Sequence, residues 1–99
     1  MTLTGPLARA ARALVQWPRD HVARKSSMEL DALAAFEREN VDPGDDARAR
    51  IQAVLEEGGA VFLTDEDGGI GVRLKFTRQE VRSIRRMENE GGPVGDDDV

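Results

Sequence analysis

Ninety-nine residues with no cysteine make one small domain at most, and exclude a disulfide framework, a thiolate metal site and a thiol redox centre. The net charge of −5 is split: residues 1–27 carry five positive and one negative side chain, residues 28–99 nine and eighteen. Twelve alanines and one tryptophan give a core poor in large side chains, so only modest stability is expected.

Thr4-Gly5-Pro6 opens a first helix over 4–16, with a capping hydroxyl and then a proline whose missing N–H costs nothing in the first turn. Leu3, Leu7, Ala10/Ala11 and Leu14 recur at helical spacing, and Trp17-Pro18 ends the run. Two readings stand for this segment. It is either a basic amphipathic arm lying on a membrane or on nucleic acid, with Trp17 as an interfacial anchor, or a short helix that packs its leucine face on the domain or frays. The apolar run Ala13-Leu14-Val15 is too short for a signal peptide or a membrane span. Membrane association is therefore not expected, and a cytoplasmic location is. Residues 20–25 read as a polar connector with a solvated His21.

Ser26-Ser27-Met28-Glu29 matches a capping box that starts a helix over 27–40, with Met28, Ala32, Leu33 and Phe36 on its apolar side. Val41-Asp42-Pro43-Gly44-Asp45-Asp46 breaks the chain, and Asp45 or Asp46 can cap a helix over 46–57. Ala47, Ile51, Val54 and Leu55 form its apolar stripe. Its charges oppose the macrodipole: Arg48 and Arg50 lie in the first turn, Glu56 and Glu57 in the last. Local rules broken in this way mark Arg48 and Arg50 as candidate partner contacts.

A two-stranded antiparallel hairpin follows over 60–65/70–76. Ile70, Val72, Leu74 and Phe76 alternate with Gly71, Arg73 and Lys75. Asp67-Gly68 suits a two-residue type I′ turn. That turn pairs Leu63 with Val72 and Val61 with Leu74, placing those four on the core face and Phe62 opposite Arg73 on the other. Thr77 and Glu80 then form a capping box, and Phe76 and Val81 a hydrophobic staple, at the start of a helix over 78–90. Arg78, Arg82, Arg85 and Arg86 share one side of that helix as a second candidate partner surface. Gly91-Gly92-Pro93 ends it, before a disordered acidic tail. The expected fold is a small α+β domain. It divides into a basic helical arm and connector (1–25), a compact domain (26–90) and the tail (91–99).

Chemistry is sparse. Asp65 to Gly69 lacks the spaced ligands and flanking helices of a calcium loop, and Gly68 to Gly71 lacks the strand–loop–helix order of a phosphate loop. With one histidine and three serines, no catalytic residue, cofactor or metal is expected, and the chain reads as non-enzymatic. The element order from residue 28 to 90 resembles a winged helix-turn-helix domain. Arg50 to Phe62, an acidic-glycine turn and Gly71 to Thr77 resemble the recognition helix, wing and following helix of MarR-type regulators. The resemblance implies Arg48, Arg50 and Gln52 in the major groove, with Arg73 and Lys75 flanking the wing. Against it, the tip Asp65-Glu66-Asp67 carries the sign of a phosphate backbone, which disfavours nucleic acid. The expectation is a protein-binding adaptor or regulatory or assembly factor of a bacterial or phage accessory kind. Its partner would be another protein or a second copy of the chain. The alternative is a winged-helix-like DNA-binding transcriptional regulator.

Overall fold

Helix α1 (Gly5–Val15) is the element on which the others converge. The Thr4 hydroxyl accepts the Leu7 N–H at 3.3 Å, and Pro6 lies in the first turn. Leu3, Leu7, Ala8, Ala11 and Val15 are buried. This face packs on helices α3 (Leu30–Glu39) and α4 (Asp45–Glu57) and on strands β1 (Ala60–Leu63) and β2 (Gly71–Leu74). Of the two readings of residues 1–17, the structure takes the one in which the helix packs on the domain. The computed structural model describes residues 2–64, 66 and 68–75. Over these residues it is an α+β fold of helices with one antiparallel hairpin, and no described helix is long and apolar enough to cross a membrane. The expected helix over 78–90 and the tail lie outside the described residues.

Residues 19–25 are a helix, α2 (Arg19–Lys25), and not the connector that their polarity suggested. Val22 and Ala23 are their only apolar side chains, and both are buried. Two adjacent small contacts suffice because α2 is covered by α3 and α4. Asp20 in the first turn and Arg24 and Lys25 in the last also match the macrodipole.

The capping box expected at Ser26 does not form, because Ser26 closes the preceding helix. Its buried hydroxyl donates to the Val22 carbonyl at 2.7 Å. Ser27 turns left-handed (φ 59°), its N–H reaches the Arg24 carbonyl at 3.2 Å, and the Met28 N–H reaches Ala23 at 2.8 Å. That is a Schellman closure with serine where glycine is commonest. Helix α3 then begins at Leu30, with Glu29 at its N-cap and no side-chain capping bond. It ends at Asn40, also left-handed (φ 54°), whose Oδ1 accepts the Gly5 N–H at 2.9 Å. Helix α4 buries the expected stripe of Ala47, Ile51, Val54 and Leu55. Gly44 (φ 97°) is its N-cap, so Asp45 and Asp46 occupy the first turn without capping it.

The hairpin forms with its register one residue from the expected one. Ala60 faces Leu74, Val61 faces Arg73, Phe62 faces Val72 and Leu63 faces Gly71. The core face is therefore Ala60, Phe62, Val72 and Leu74, while Val61 and Leu63 lie on the face of Arg73. Seven residues, an odd number, separate the last pair, Leu63 and Gly71, where a two-residue turn needs an even number, and Gly68 and Gly69 stand at φ 97° and 133°. A slip of one residue moves every side chain of a strand to the other face. Nothing in β1 opposes the slip, because Ala60, Val61, Phe62 and Leu63 are apolar at every position.

Candidate functional site

Helix α2, the four residues 26–29 and helix α3 form a helix-turn-helix unit, and one buried carboxylate holds it to α1. Glu37 lies on the inner side of α3 with Leu33 and Phe36. Its side chain is 1 % exposed. Arg12 of α1 donates to it through Nε at 2.9 Å and Nη2 at 3.0 Å, and Arg19 of α2 donates through Nε at 3.0 Å. Arg12 Nη1 also donates to the Trp17 carbonyl at 3.2 Å. Three helices and the α1–α2 corner thus meet at one acid. Both carboxylate oxygens are occupied, as burial of a charge demands.

With the inner face fixed, the outer face of α3 is determined. Asp31 lies opposite the buried residues at 100° per residue, with Arg38 two turns on, whereas Leu30 falls on the Glu37 side of the helix. Asp31, Ala32 and Arg38 are exposed, and Leu30 is 47 % exposed. Ala34 and Ala35 between them are short, so the helix backbone lies near the surface of this face.

The other end of the unit is wedged by Trp17. Its ring sits so close to Gly58 that a Cβ there would lie 2.8 Å from Cη2, which accounts for the glycine at that position. His21 meets the same ring edge-on at 4.6 Å, and Lys25 Nζ lies 5.7 Å from its centroid while bonding Glu57 at 2.9 Å. Trp17, the candidate interfacial anchor, is half-buried between α2 and the end of α4. Burial holds the His21 pKa below the usual 6.5, and Lys25 and then Arg24 lower it further against the opposing charge of Asp20. The unfolded chain binds that proton first, so stability falls as pH drops from 6.5 through the lowered value. Urea midpoints measured across that window are expected to fall with acid in the wild type. They should fall less in His21→Gln.

Arg48, Arg50 and Gln52 are each engaged within the chain. Arg48 pairs with Asp42 and Asp45, and its side chain is 19 % exposed. Arg50 Nε donates to the Ser26 carbonyl at 2.8 Å, and Gln52 Nε2 to Glu56 at 3.1 Å. The charges that looked misplaced on α4 therefore have local partners: Arg48 neutralises the preceding loop, and Arg50 braces the turn between α2 and α3. Arg73 is exposed, with its guanidinium on the Leu74 carbonyl at 3.2 Å. Arg78, Arg82, Arg85 and Arg86 lie outside the described residues. Among the described residues, no three acidic or histidine side chains converge as metal ligands would.

Sequence reasoning passed over α2 and Glu37. A signal for Glu37 was present: it stands four residues after Leu33 and beside Phe36, an acid within the apolar sector. No protein-family model matches the chain, and no curated protein matches it.

Proposed function

We propose that the protein binds duplex DNA as a regulator and uses α2 and α3 as a helix-turn-helix, with α3 in the major groove. This keeps the DNA-binding alternative but moves the recognition helix from α4 to α3. The observation that carries it is the α2–turn–α3 unit: a seven-residue helix, a four-residue turn and a ten-residue helix whose inner face is locked by Glu37 and whose outer face is open. In such units the first helix crosses the phosphate backbone and the second reads base edges from its N-terminal residues. Arg24 and Lys25, both exposed on α2, supply cations for the backbone, within the segment where the chain is positive, while Arg19 is held by Glu37.

The test is fluorescence anisotropy of a short labelled duplex at low salt. The wild type should bind, and weaken along a straight line in log affinity against log salt. Leu30→Glu with Arg38→Glu, both exposed, should lower affinity by at least about tenfold at fixed salt, because two carboxylates enter the phosphate field. Absence of binding at the lowest salt would sink the proposal.

A second reading, a protein partner or a second copy of the chain, is favoured by one observation. Leu30 and Val41, 47 % and 51 % exposed, stand at the two ends of α3, with the acids Glu29, Asp31 and Asp42 around them. An apolar pair rimmed by acids suits a basic protein surface better than phosphate.

A further inference from the structure

We propose that the outer face of the hairpin pairs with the same face of a second copy of this chain, the two hairpins running antiparallel about a two-fold axis. The inference rests on the second-copy reading above, gives it a surface, and is independent of DNA binding.

The face away from the core carries Val61 and Leu63 of β1 and Gly71 and Arg73 of β2. Val61 and Leu63 are half-buried, yet among the described residues neither joins the buried core nor packs against it. Leu63 leans over the bare glycine: a Cβ on Gly71 would lie 3.7 Å from its Cδ1. Ile70, where the loop re-enters β2, is 67 % exposed. Three apolar side chains of one short hairpin thus remain outside the core.

The charges at the two ends of the hairpin select the occupant. Arg73 is exposed, and its guanidinium reaches the Leu74 carbonyl but no acid among the described residues. Glu66 at the tip is exposed, with no ion pair or hydrogen bond among the described residues, and Asp65 and Asp67 flank it in sequence. Arg73 faces Val61, five residues before Glu66, so the cation stands toward the base of the hairpin and the anion at its tip, with Leu63 between them. A two-fold interface requires a surface that complements itself. An axis near the Leu63–Gly71 pair reverses one hairpin on the other. It directs Arg73 of each copy to Glu66 of the other, and it stacks Leu63 on its symmetry mate over Gly71, which has no side chain to hold the sheets apart. A parallel stack would instead set Arg73 against Arg73 and acidic tip against acidic tip. The face is small, so the dimer it makes is a weak and concentration-dependent one.

The experiment is sedimentation equilibrium of the full chain over a concentration series. The wild type should pass from monomer to dimer as concentration rises. Arg73→Glu and Glu66→Arg should each raise the dissociation constant about tenfold or more, because symmetry removes two pairs at once and installs two repulsions. An equimolar mixture of the two variants should recover the dimer, since each supplies the sign that the other lacks. Both residues are exposed, so circular dichroism should show each variant folded. A wild type that stays monomeric up to its solubility limit overturns the proposal together with the second-copy reading, and leaves DNA binding by a monomer standing. A dimer that neither variant weakens overturns the hairpin surface and leaves the second-copy reading in place. A mixture no more dimeric than either variant alone overturns the crossed pairing of Arg73 with Glu66.

Discussion

Glu37→Ala is expected to lose about 3–5 kcal/mol of folding stability, the range for breaking a buried ion pair by removing one partner. For a chain of this length the whole stability is on the order of 5–15 kcal/mol, so the urea midpoint should move far toward zero. The loss arises from what is left behind. The Arg12 and Arg19 side chains are only 18 % and 22 % exposed, and without the carboxylate both guanidinium groups face a cavity. The ion cluster itself is not the source of net stability, because its desolvation offsets most of the Coulomb attraction. The triple variant Arg12→Met, Arg19→Leu, Glu37→Leu should therefore recover most of the stability that Glu37→Ala loses. A Glu37→Ala variant as stable as the wild type would show that the carboxylate is solvated.

Gly5→Ala is expected to reverse the sign of helix propensity. Glycine to alanine within a helix normally stabilises by roughly 0.5–1 kcal/mol. Here a Cβ would lie 1.9 Å from the Phe36 carbonyl oxygen, 3.0 Å from its carbon and 3.2 Å from Asn40 Oδ1. The obstacle is backbone, so it cannot swing aside. The start of α1 and the end of α3 would have to separate, and the 2.9 Å bond from the Gly5 N–H to Asn40 would be lost with them. Forced overpacking costs typically about 1–3 kcal/mol and occasionally more, and a contact this short belongs at the upper end. Thermal unfolding of Gly5→Ala beside Asn40→Gly separates the two causes. The second variant keeps the left-handed turn and removes only the hydrogen bond, so its loss should stay within about 1 kcal/mol.

The elements that the sequence disclosed were those with a local cause. Thr4 and Pro6 start α1, Gly44 precedes α4, and the stripe of Ala47, Ile51, Val54 and Leu55 is buried as its spacing indicates. The misreadings share a different cause. Helix α2 has too few apolar residues for periodicity to register, and it exists because α3 and α4 cover Val22 and Ala23. Ser26 satisfied the pattern of one helix start and was used by the preceding helix end. The hairpin register depended on the parity of a glycine-rich loop, which composition does not reveal. The candidate site was least legible of all. Its clamp joins residues 18 and 25 positions apart, and no local rule pairs Glu37 with Arg19 or Arg12. The charges on Arg48 and Arg50 drew attention because they broke a local rule, and the structure gives them intramolecular work.

The packing of α1 on β2 has a consequence for the order in which the molecule forms. Helix α1 has part of its binding surface on the last described strand, some sixty residues later in the chain. Until Gly71–Leu74 emerge, the apolar face formed by Leu3, Leu7, Ala8, Ala11 and Val15 lacks part of its cover. Contacts of such sequence separation are slow to close, because the entropy of a long loop is lost before they contribute. A nascent chain stalled before the hairpin thus presents an amphipathic helix with an open face, and a truncation ahead of β2 removes part of the floor on which α1 rests.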